Sequence, residues 1–445
     1  MTLIKSVKER LTSFQIIIIG FAGVILLGAF MLMLPIASRI GVLTPFDKAL
    51  FTSVSAVCVT GLVVVDTATY WSFFGQLVIL ILIQIGGLGV ITVASLMVML
   101  AGRKISLMQR QTMQNAISAP QVGGIVKLTR FIFKISFLIE MAGTVLLLPV
   151  FVPAYGIKGI WMSLFHAVSA FCNAGFDLMG NKTGEFSSLT SFSANGYLSL
   201  VISMLIVIGG IGFVTWKDVI SKKNAFSEYR MQTKVVIVTT AILIIIPSII
   251  FFFTEFSSAP MDERIYMSVF QAITPRTAGF NTADLTKITD VGQGITMILM
   301  LIGGAPGSTA GGMKTTTVAI LYANAIAVFG SKPNANIFGR RIEDCIVKSA
   351  STILFMYVTF SIGAATIISM TENLPMETCM FEAFSAIGTV GLTLGVTPSL
   401  SFFSHILLMS LMFFGRVGGL TIVFAAFSHK DKSILRYPTE NIMAG

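Results

Sequence analysis

The chain has 445 residues, of which 55% are hydrophobic and 11% charged, and its formal net charge is +10. Soluble domains carry about 25% charged residues, so composition excludes a water-soluble fold and points to the membrane. A net charge of +10 would fit a nucleic-acid partner only as a basic stripe interleaved with aromatics, and the sequence has none.

The first apolar run, 14–34, follows Lys5, Lys8 and Arg10. It is longer than a signal-peptide core and lacks an A-x-A cleavage pattern, so it reads as a retained span. A shorter run, 46–57, leads to a turn around Gly61, and a long run, 74–101, follows. Some 11 helical residues reach only about 16 Å, whereas the hydrocarbon is about 30 Å thick. The short run therefore has to enter and return by one face. A polar, Gln-rich link, 103–130, comes next.

The same order recurs three times. The second copy has 131–152, 160–171, a turn at Gly175 and 196–216, followed by the link 217–234. The third has 235–253, 263–274, a turn at Gly279 and an apolar stretch from 292, followed by the link 332–348. The fourth has 351–370, 376–387, a turn at Gly391 and 402–427. Each turn closes a related string: FTSVSAVCVTGL from Phe51, FHAVSAFCNAGF from Phe165, FQAITPRTAGF from Phe270 and FEAFSAIGTVGL from Phe381, at spacings of roughly 105 to 115 residues. Such a repeat defines the architecture before any local reading does.

The predicted units are 1–101, 102–216, 217–330 and 331–445, the last with a C-terminal tail. Two crossings per unit return the chain to its starting side, so all four copies point the same way. The expected fold is an all-α polytopic membrane protein, with four parallel helix, re-entrant helix, helix repeats and eight spans around one central pore. Such parallel repeats differ from the inverted repeats of many secondary transporters. With a cytoplasmic N-terminus, only Arg39, Lys48, Lys158, Lys182, Arg264, Arg276 and Lys287 fall in outer segments; the other 23 of 30 basic residues lie inside or at membrane depth near the inner segments. That bias places both termini in the cytoplasm and the protein in the cell membrane.

A cation leaving water needs oxygen in place of its hydration shell, and rings of backbone carbonyls supply it. Glycine permits the positive φ that turns successive carbonyls towards one axis. The C-terminal, negative ends of four short helices around that axis favour a cation. The candidate filter is Val59, Thr60 and Gly61; Asn173, Ala174 and Gly175; Thr277, Ala278 and Gly279; and Thr389, Val390 and Gly391. A lone glycine would more simply be a helix-packing contact, but four at matching places argue for the ring. No catalytic residue is expected, and the only metal is the ion carried through the filter.

A second glycine signal follows each turn: Gly86-Gly87-Leu88-Gly89, Gly209-Gly210-Ile211-Gly212, Gly303-Gly304-Ala305-Pro306 and Gly415-Arg416-Val417-Gly418. Close packing or a kink accounts for the first two. The third extends into Gly303, Gly304, Ala305, Pro306, Gly307, Ser308, Thr309, Ala310, Gly311 and Gly312, which cannot remain helical at about 1 kcal/mol per glycine and about 3 per proline. Irregular backbone at membrane depth survives only inside protein or beside a water-filled cavity, so this stretch reads as a gate below the filter. Gly307 to Thr315 also looks like a phosphate-binding loop, but Met313 interrupts the motif and the context is an apolar helix.

Arg416 lies at membrane depth, where an arginine marks function by default; the simpler alternative is that it snorkels or pairs with a carbonyl, and the favoured reading is a pore-facing charge that raises the barrier to cations. Glu140 and Arg276 are expected to form internal ion pairs. His166, Gln271 and Glu382 are expected as capping or interfacial groups near the outer face. Cys58, Cys172, Cys345 and Cys379 form no C-x-x-C pair. Neither H-E-x-x-H nor G-x-S-x-G occurs, which argues against an intramembrane enzyme. An ion-coupled secondary transporter with a midplane substrate site is the competing reading, supported by the one predicted broken helix.

The four units, their glycines, the GGxG signatures, the GGAPGSTAGG break and the arginine of the fourth unit together resemble the Ktr/Trk/HKT potassium transporters, and in length most closely the membrane subunits of the bacterial Ktr systems. The resemblance covers nearly the whole chain. It implies potassium uptake through a pore within each protomer, a homodimer, sodium as an activator, and control by a cytoplasmic nucleotide-binding ring of the KtrA kind that carries the nucleotide. It also associates the first filter glycine, here Gly61, with potassium preference. No cofactor is expected in this chain. The basic inner links suit either that ring or the anionic headgroups of membrane lipid.

Overall fold

The computed structural model describes residues 12–426 except 103–104, 118–120, 122 and 224. The expected cytoplasmic termini and the C-terminal tail lie outside the described residues. Unit one comprises α1 (Ser13–Met33), α2 (Phe46–Cys58), α3 (Phe73–Leu88) and α4 (Val90–Leu100), with α5 (Leu107–Ile117) in the link. Unit two has α6 (Ile125–Tyr155), α7 (Lys158–Phe171), α8 (Gly196–Gly210) and α9 (Phe213–Lys222). Unit three has α10 (Met231–Thr254), α11 (Met261–Ile273), α12 (Asp290–Leu301) and α13 (Thr315–Phe329), and then the hairpin β1 (Asn336–Ile337) and β2 (Arg340–Arg341). Unit four has α14 (Asp344–Glu372), α15 (Met376–Gly388), α16 (Phe402–Val417) and α17 (Gly419–Ala426).

Local sequence explains where these helices begin. A capping box at Thr12 and Gln15 opens α1. The helix after each turn starts at a polar cap, Ser72, Asn195, Thr289 or Ser401, whose side chain accepts a first-turn backbone N–H. Three of the short helices start after a proline, Pro45, Pro260 or Pro375, and place Asp47, Asp262 with Glu263, or Glu377 in the first turn, where carboxylates complement the helix dipole. The opening phenylalanines of the four repeats, Phe51, Phe165, Phe270 and Phe381, are all buried to within 1% exposure. They anchor the short helices in the core, whereas Leu27, Phe137, Phe253 and Phe355 on the long helices point outwards.

By length and apolarity α1, α6, α10 and α14 can each cross a membrane, at 21, 31, 24 and 29 residues. Two bent pairs, α3 with α4 and α8 with α9, add further candidate spans, and each pair turns by 95°. Of the two readings open at the first two signatures, close packing or a kink, a sharp kink is present, and it divides the runs 74–101 and 196–216. The run from Phe402 is likewise divided, at Gly418. The cause is the last glycine of each GGxG signature: Gly89, Gly212 and Gly418 have φ of 87°, 92° and 91°, a conformation that ends a right-handed helix. In unit three the expected interruption is present and longer than predicted, running from 302 to 314 between α12 and α13. The first link is also more ordered than a polar loop: α5 buries Met113 and Ile117, and the Thr112 hydroxyl donates to Ser13 Oγ at 3.2 Å.

Candidate ion pathway

The four predicted turns share one backbone design. At the residue two before each glycine the chain enters the left-handed region: Val59 at φ 58°, Asn173 at 59°, Thr277 at 67° and Thr389 at 51°. The next residue is held by the short helix. Thr60 N donates to Ser55 O at 2.8 Å, Ala174 N to Ser169 O at 2.7 Å, Ala278 N to Thr274 O at 3.0 Å and Val390 N to Ser385 O at 2.8 Å. The hydroxyls of those anchors brace the far side of each turn. Ser55 and Ser385 accept from Gly61 N and Gly391 N at 3.0 and 3.1 Å, while Ser169 and Thr274 donate to Phe176 O and Phe280 O at 2.7 and 2.6 Å.

The glycines then meet. A Cβ on Gly61 would lie 2.5 Å from Ala174 O, one on Gly175 2.8 Å from Ala278 O, one on Gly279 2.3 Å from Val390 O and one on Gly391 2.2 Å from Thr60 O. Each unit touches the next, and the fourth closes on the first. All four glycines have positive φ, at 92°, 68°, 77° and 92°, so only glycine satisfies both the space and the dihedral. The structure thus brings all twelve predicted residues of the turns to one ring. The hydroxyls of Thr60, Thr277 and Thr389 there are buried without a protein partner, a costly state for a polar group unless water or a cation satisfies it.

The GGxG signatures pack against the ends of the short helices. Cβ atoms on Gly86, Gly209 and Gly415 would approach Val57 O, Phe171 O and Ile387 O within 2.1, 2.0 and 1.9 Å. The interrupted stretch of unit three lies beside the ring. A Cβ on Gly311 would sit 2.0 Å from Thr389 Oγ1, and one on Gly303 3.2 Å from Thr277 Cγ2. Its backbone is satisfied by neighbours: Ala305 N donates to Gly210 O at 2.8 Å, Thr309 Oγ1 to Phe171 O at 2.9 Å, and Phe213 N to Gly307 O at 2.9 Å.

Arg416 does not reach for a membrane surface. Its guanidinium donates to Thr309 O in that stretch, to Gly86 O, and to Gly87 O at 3.0 Å. It borders a cavity of about 210 Å³, with Gly307, Ser308, Ala310, Gly312 and Lys314 among the lining residues. Sequence reading missed Lys314, whose Nζ donates to Ala310 O and Gly311 O at 2.9 and 3.1 Å. Its place directly after the glycine-rich break was the available signal.

Two expectations need correction. Glu140 and Arg276 form no ion pair among the described residues, where the salt bridges are Lys222 to Asp218, Lys287 to Asp284 and Arg341 to Asp344. Glu140 Oε1 instead accepts from Gln84 Nε2 at 2.8 Å, and Arg276 donates to Thr240 Oγ1 at 3.4 Å; amide and hydroxyl dipoles take the place of opposite charges. His166, Gln271 and Glu382 are not interfacial caps, being 0%, 1% and 1% exposed. Two of them tie down segments leaving the ring: His166 Nε2 accepts from Leu178 N at 3.4 Å, and Glu382 accepts from Thr393 Oγ1, Leu394 N and Thr397 Oγ1 at 2.6, 3.0 and 2.6 Å. Just past Gly175, burial raises the Asp177 carboxyl to about 7, with the nearby Asp66 charge adding to the rise and the Met179 N–H opposing it.

The profile of the cation transport protein family TrkH matches residues 10–437. The chain belongs to the TrkH family of cation transport proteins. The chain is 42% identical to the potassium/sodium uptake protein NtpJ of Enterococcus hirae over 99% of both chains. It is 40% identical to Ktr system potassium uptake protein B of Bacillus subtilis, over 98% of this chain and 97% of the relative. The crystal structure of the potassium transporter TrkH from Vibrio parahaemolyticus shares the fold, with a TM-score of 0.68 at 16% identity, covering 92% of this chain and 85% of that one. With its several long apolar helices, this TrkH family member is a multi-pass membrane protein.

Proposed function

We propose that this chain is the ion-conducting membrane subunit of a potassium uptake system, passing K⁺ passively down its electrochemical gradient through the ring of Gly61, Gly175, Gly279 and Gly391. The carrying observation is the closure of that ring, unit to unit in chain order, with backbone carbonyls and unpartnered threonine hydroxyls at it. Oxygen donors of that kind replace the hydration shell of a hard monovalent cation. In this reading the stretch 303–312 is the gate, Arg416 raises the barrier beneath the filter, and the chain makes eight crossings of the cell membrane with both ends in the cytoplasm. The relatives' names, which include potassium uptake and membership of a Ktr system, support K⁺ as the ion. The Ktr name of one relative favours a regulatory partner. That this partner is a cytoplasmic nucleotide-binding ring, that the chain is a homodimer and that Na⁺ is an activator are parts of this proposal that follow from the resemblance to the Ktr systems.

The test is K⁺ and Na⁺ flux into liposomes holding the purified chain, with Gly391→Ser beside it and the regulatory ring added in parallel samples. K⁺-selective flux that the variant loses is expected. Robust flux untouched by Gly391→Ser would place the pathway elsewhere.

A further inference from the structure

The foot of α6 carries a cluster of cations on the same face that the rest of the helix leaves exposed. Lys127, Arg130, Lys134, Leu138, Met141 and Val145 are all exposed and recur every three or four residues, so they form one stripe. Its first two turns are cationic and its continuation is apolar. Lys127 and Lys134 lie seven residues apart, about 10 Å along the axis, enough to cross a polar headgroup layer of about 5–8 Å. Arg110 of α5 joins them: with Lys127 and Arg130 it lines a cavity of about 350 Å³, together with Gly124, Ile125 and Val126. No acid lines that cavity, and none of the three cations is in an ion pair among the described residues. An adjoining cavity of about 150 Å³ shares Gly124 and Ile125 and adds Lys217 and Arg230. Its acid, Asp218, is already engaged, 3.5 Å from Lys222 Nζ and accepting from Arg230 N at 2.9 Å.

A soluble partner would reach only the end of such a stripe, whereas a phospholipid meets its whole length. Anionic headgroups attract Lys and Arg at the membrane surface and settle in basic pockets between helices. We propose that an anionic phospholipid seats its phosphate in the cavity between Arg110 of α5 and Lys127 and Arg130 of α6, lays its acyl chains along Leu138, Met141 and Val145, and thereby holds α5 in place. The hold reaches the ion pathway. A Cβ on Gly307 would lie 2.6 Å from Ile117 O, and Asn115, Ala116 and Ile117 border the cavity of Arg416. Arg110 and Ile117 are seven residues apart, about 10 Å along α5. A lipid that fixes Arg110 fixes the helix whose other end rests on the stretch 303–312, and so keeps that stretch in its closed position. This last step rests on the proposed reading of the stretch as the gate; the lipid site does not.

The experiment titrates the purified chain in neutral detergent with phosphatidylglycerol, phosphatidylcholine or inorganic phosphate and reads the unfolding temperature, which a ligand of the folded form raises by mass action. Phosphatidylglycerol should raise it and the other two should not. Each cation near an anionic headgroup is worth about fivefold in affinity, so the triple variant Arg110→Gln, Lys127→Gln, Arg130→Gln should bind about a hundredfold more weakly. A control with the same loss of charge on exposed residues elsewhere, Lys332→Gln, Arg340→Gln and Lys348→Gln, should bind as wild type does. Equal loss in both variants would mean diffuse attraction, and an equal shift from inorganic phosphate would mean a free-anion site; either overturns the lipid. In liposomes, phosphatidylglycerol should lower basal K⁺ flux about fivefold relative to phosphatidylcholine, the low end of coupling between two sites, and the triple variant should lose that difference. Binding with no lipid effect on flux would overturn the hold on the stretch. With binding kept, flux absent in both lipids would instead count against the proposed conduction.

Discussion

Gly391 and Ser385 sit six residues apart and do different work in one turn. Gly391 had a signal in sequence because two physical demands, a positive φ and a neighbour's carbonyl within reach, coincide at each repeat's glycine. Ser385 was in view in the same string, four residues after its opening Phe as Ser55, Ser169 and Thr274 are, but its role was not legible, because the same hydroxyl accepts in two of the turns and donates in the other two. Nor could sequence place Val59 in the left-handed region, since β-branched residues there cost about 1–2 kcal/mol and occur only where surroundings impose them. Ser385→Ala leaves the buried Gly391 N–H without an acceptor, a cost of about 1–3 kcal/mol. The turn should loosen and the K⁺ over Na⁺ flux ratio fall; a ratio equal to wild type would show that the hydroxyl does not shape the ring. Asp177 gives a pH dependence. Its folded-state value of about 7 exceeds the unfolded value near 3.9, so the folded form binds the extra proton, and that contribution to stability is lost as pH rises from about 4 to 7. The carboxylate charge beside the mouth appears as pH passes about 7, drawing in cations. Flux should rise as pH passes through about 7 on the face bearing Asp177, and Asp177→Asn should flatten the rise; a variant with the same profile would exclude this group.

Four helices that follow the turns all break; one break was predicted outright, and a kink was one of two readings at the first two signatures. GGAPGSTAGG is too dense in glycine and proline to continue a helix, whereas the glycines of the first two signatures cost about 1 kcal/mol each in a helix and leave close packing and a kink both open. The positive φ of Gly89 and Gly212 comes from tertiary packing, with Gly86 and Gly209 pressed against short-helix carbonyls just before them. The stretch 302–314 is held chiefly by hydrogen bonds from its neighbours, and Thr309 contributes three of them: its hydroxyl donates to Phe171 O, its carbonyl accepts from Arg416 and its N–H donates to Gly209 O at 3.3 Å. Thr309→Val removes the first and keeps the other two. One hydrogen bond is worth about 1 kcal/mol, so basal K⁺ flux should rise about fivefold if the stretch must leave its closed position for conduction. Stopped-flow efflux from K⁺-loaded liposomes measures this, and an unchanged rate would mean that the stretch is not the element that opens.

At the scale of the whole chain, the repeat made the order of elements legible, because four copies of one string impose the same helix, short helix, helix sequence on each unit. The crossing directions rest on charge bias alone, and the cysteines provide a way to test them. Cys58, Cys172 and Cys379 are buried and Cys345 is exposed at the start of α14, so the native chain carries one accessible thiol among its four. The predicted link 332–348 holds Lys332, Arg340, Arg341 and, in the first turns of α14, Lys348, and such basic segments stay on the cytoplasmic side. A membrane-impermeant maleimide should therefore leave intact cells unlabelled and modify the protein in inside-out vesicles, with Cys345→Ser abolishing the signal. Labelling from outside would invert α14, and with it the direction in which α15 enters the membrane. The carbonyl ends of the short helices would then face the wrong compartment for an ion arriving from outside, and the uptake reading would fail even with the ring intact.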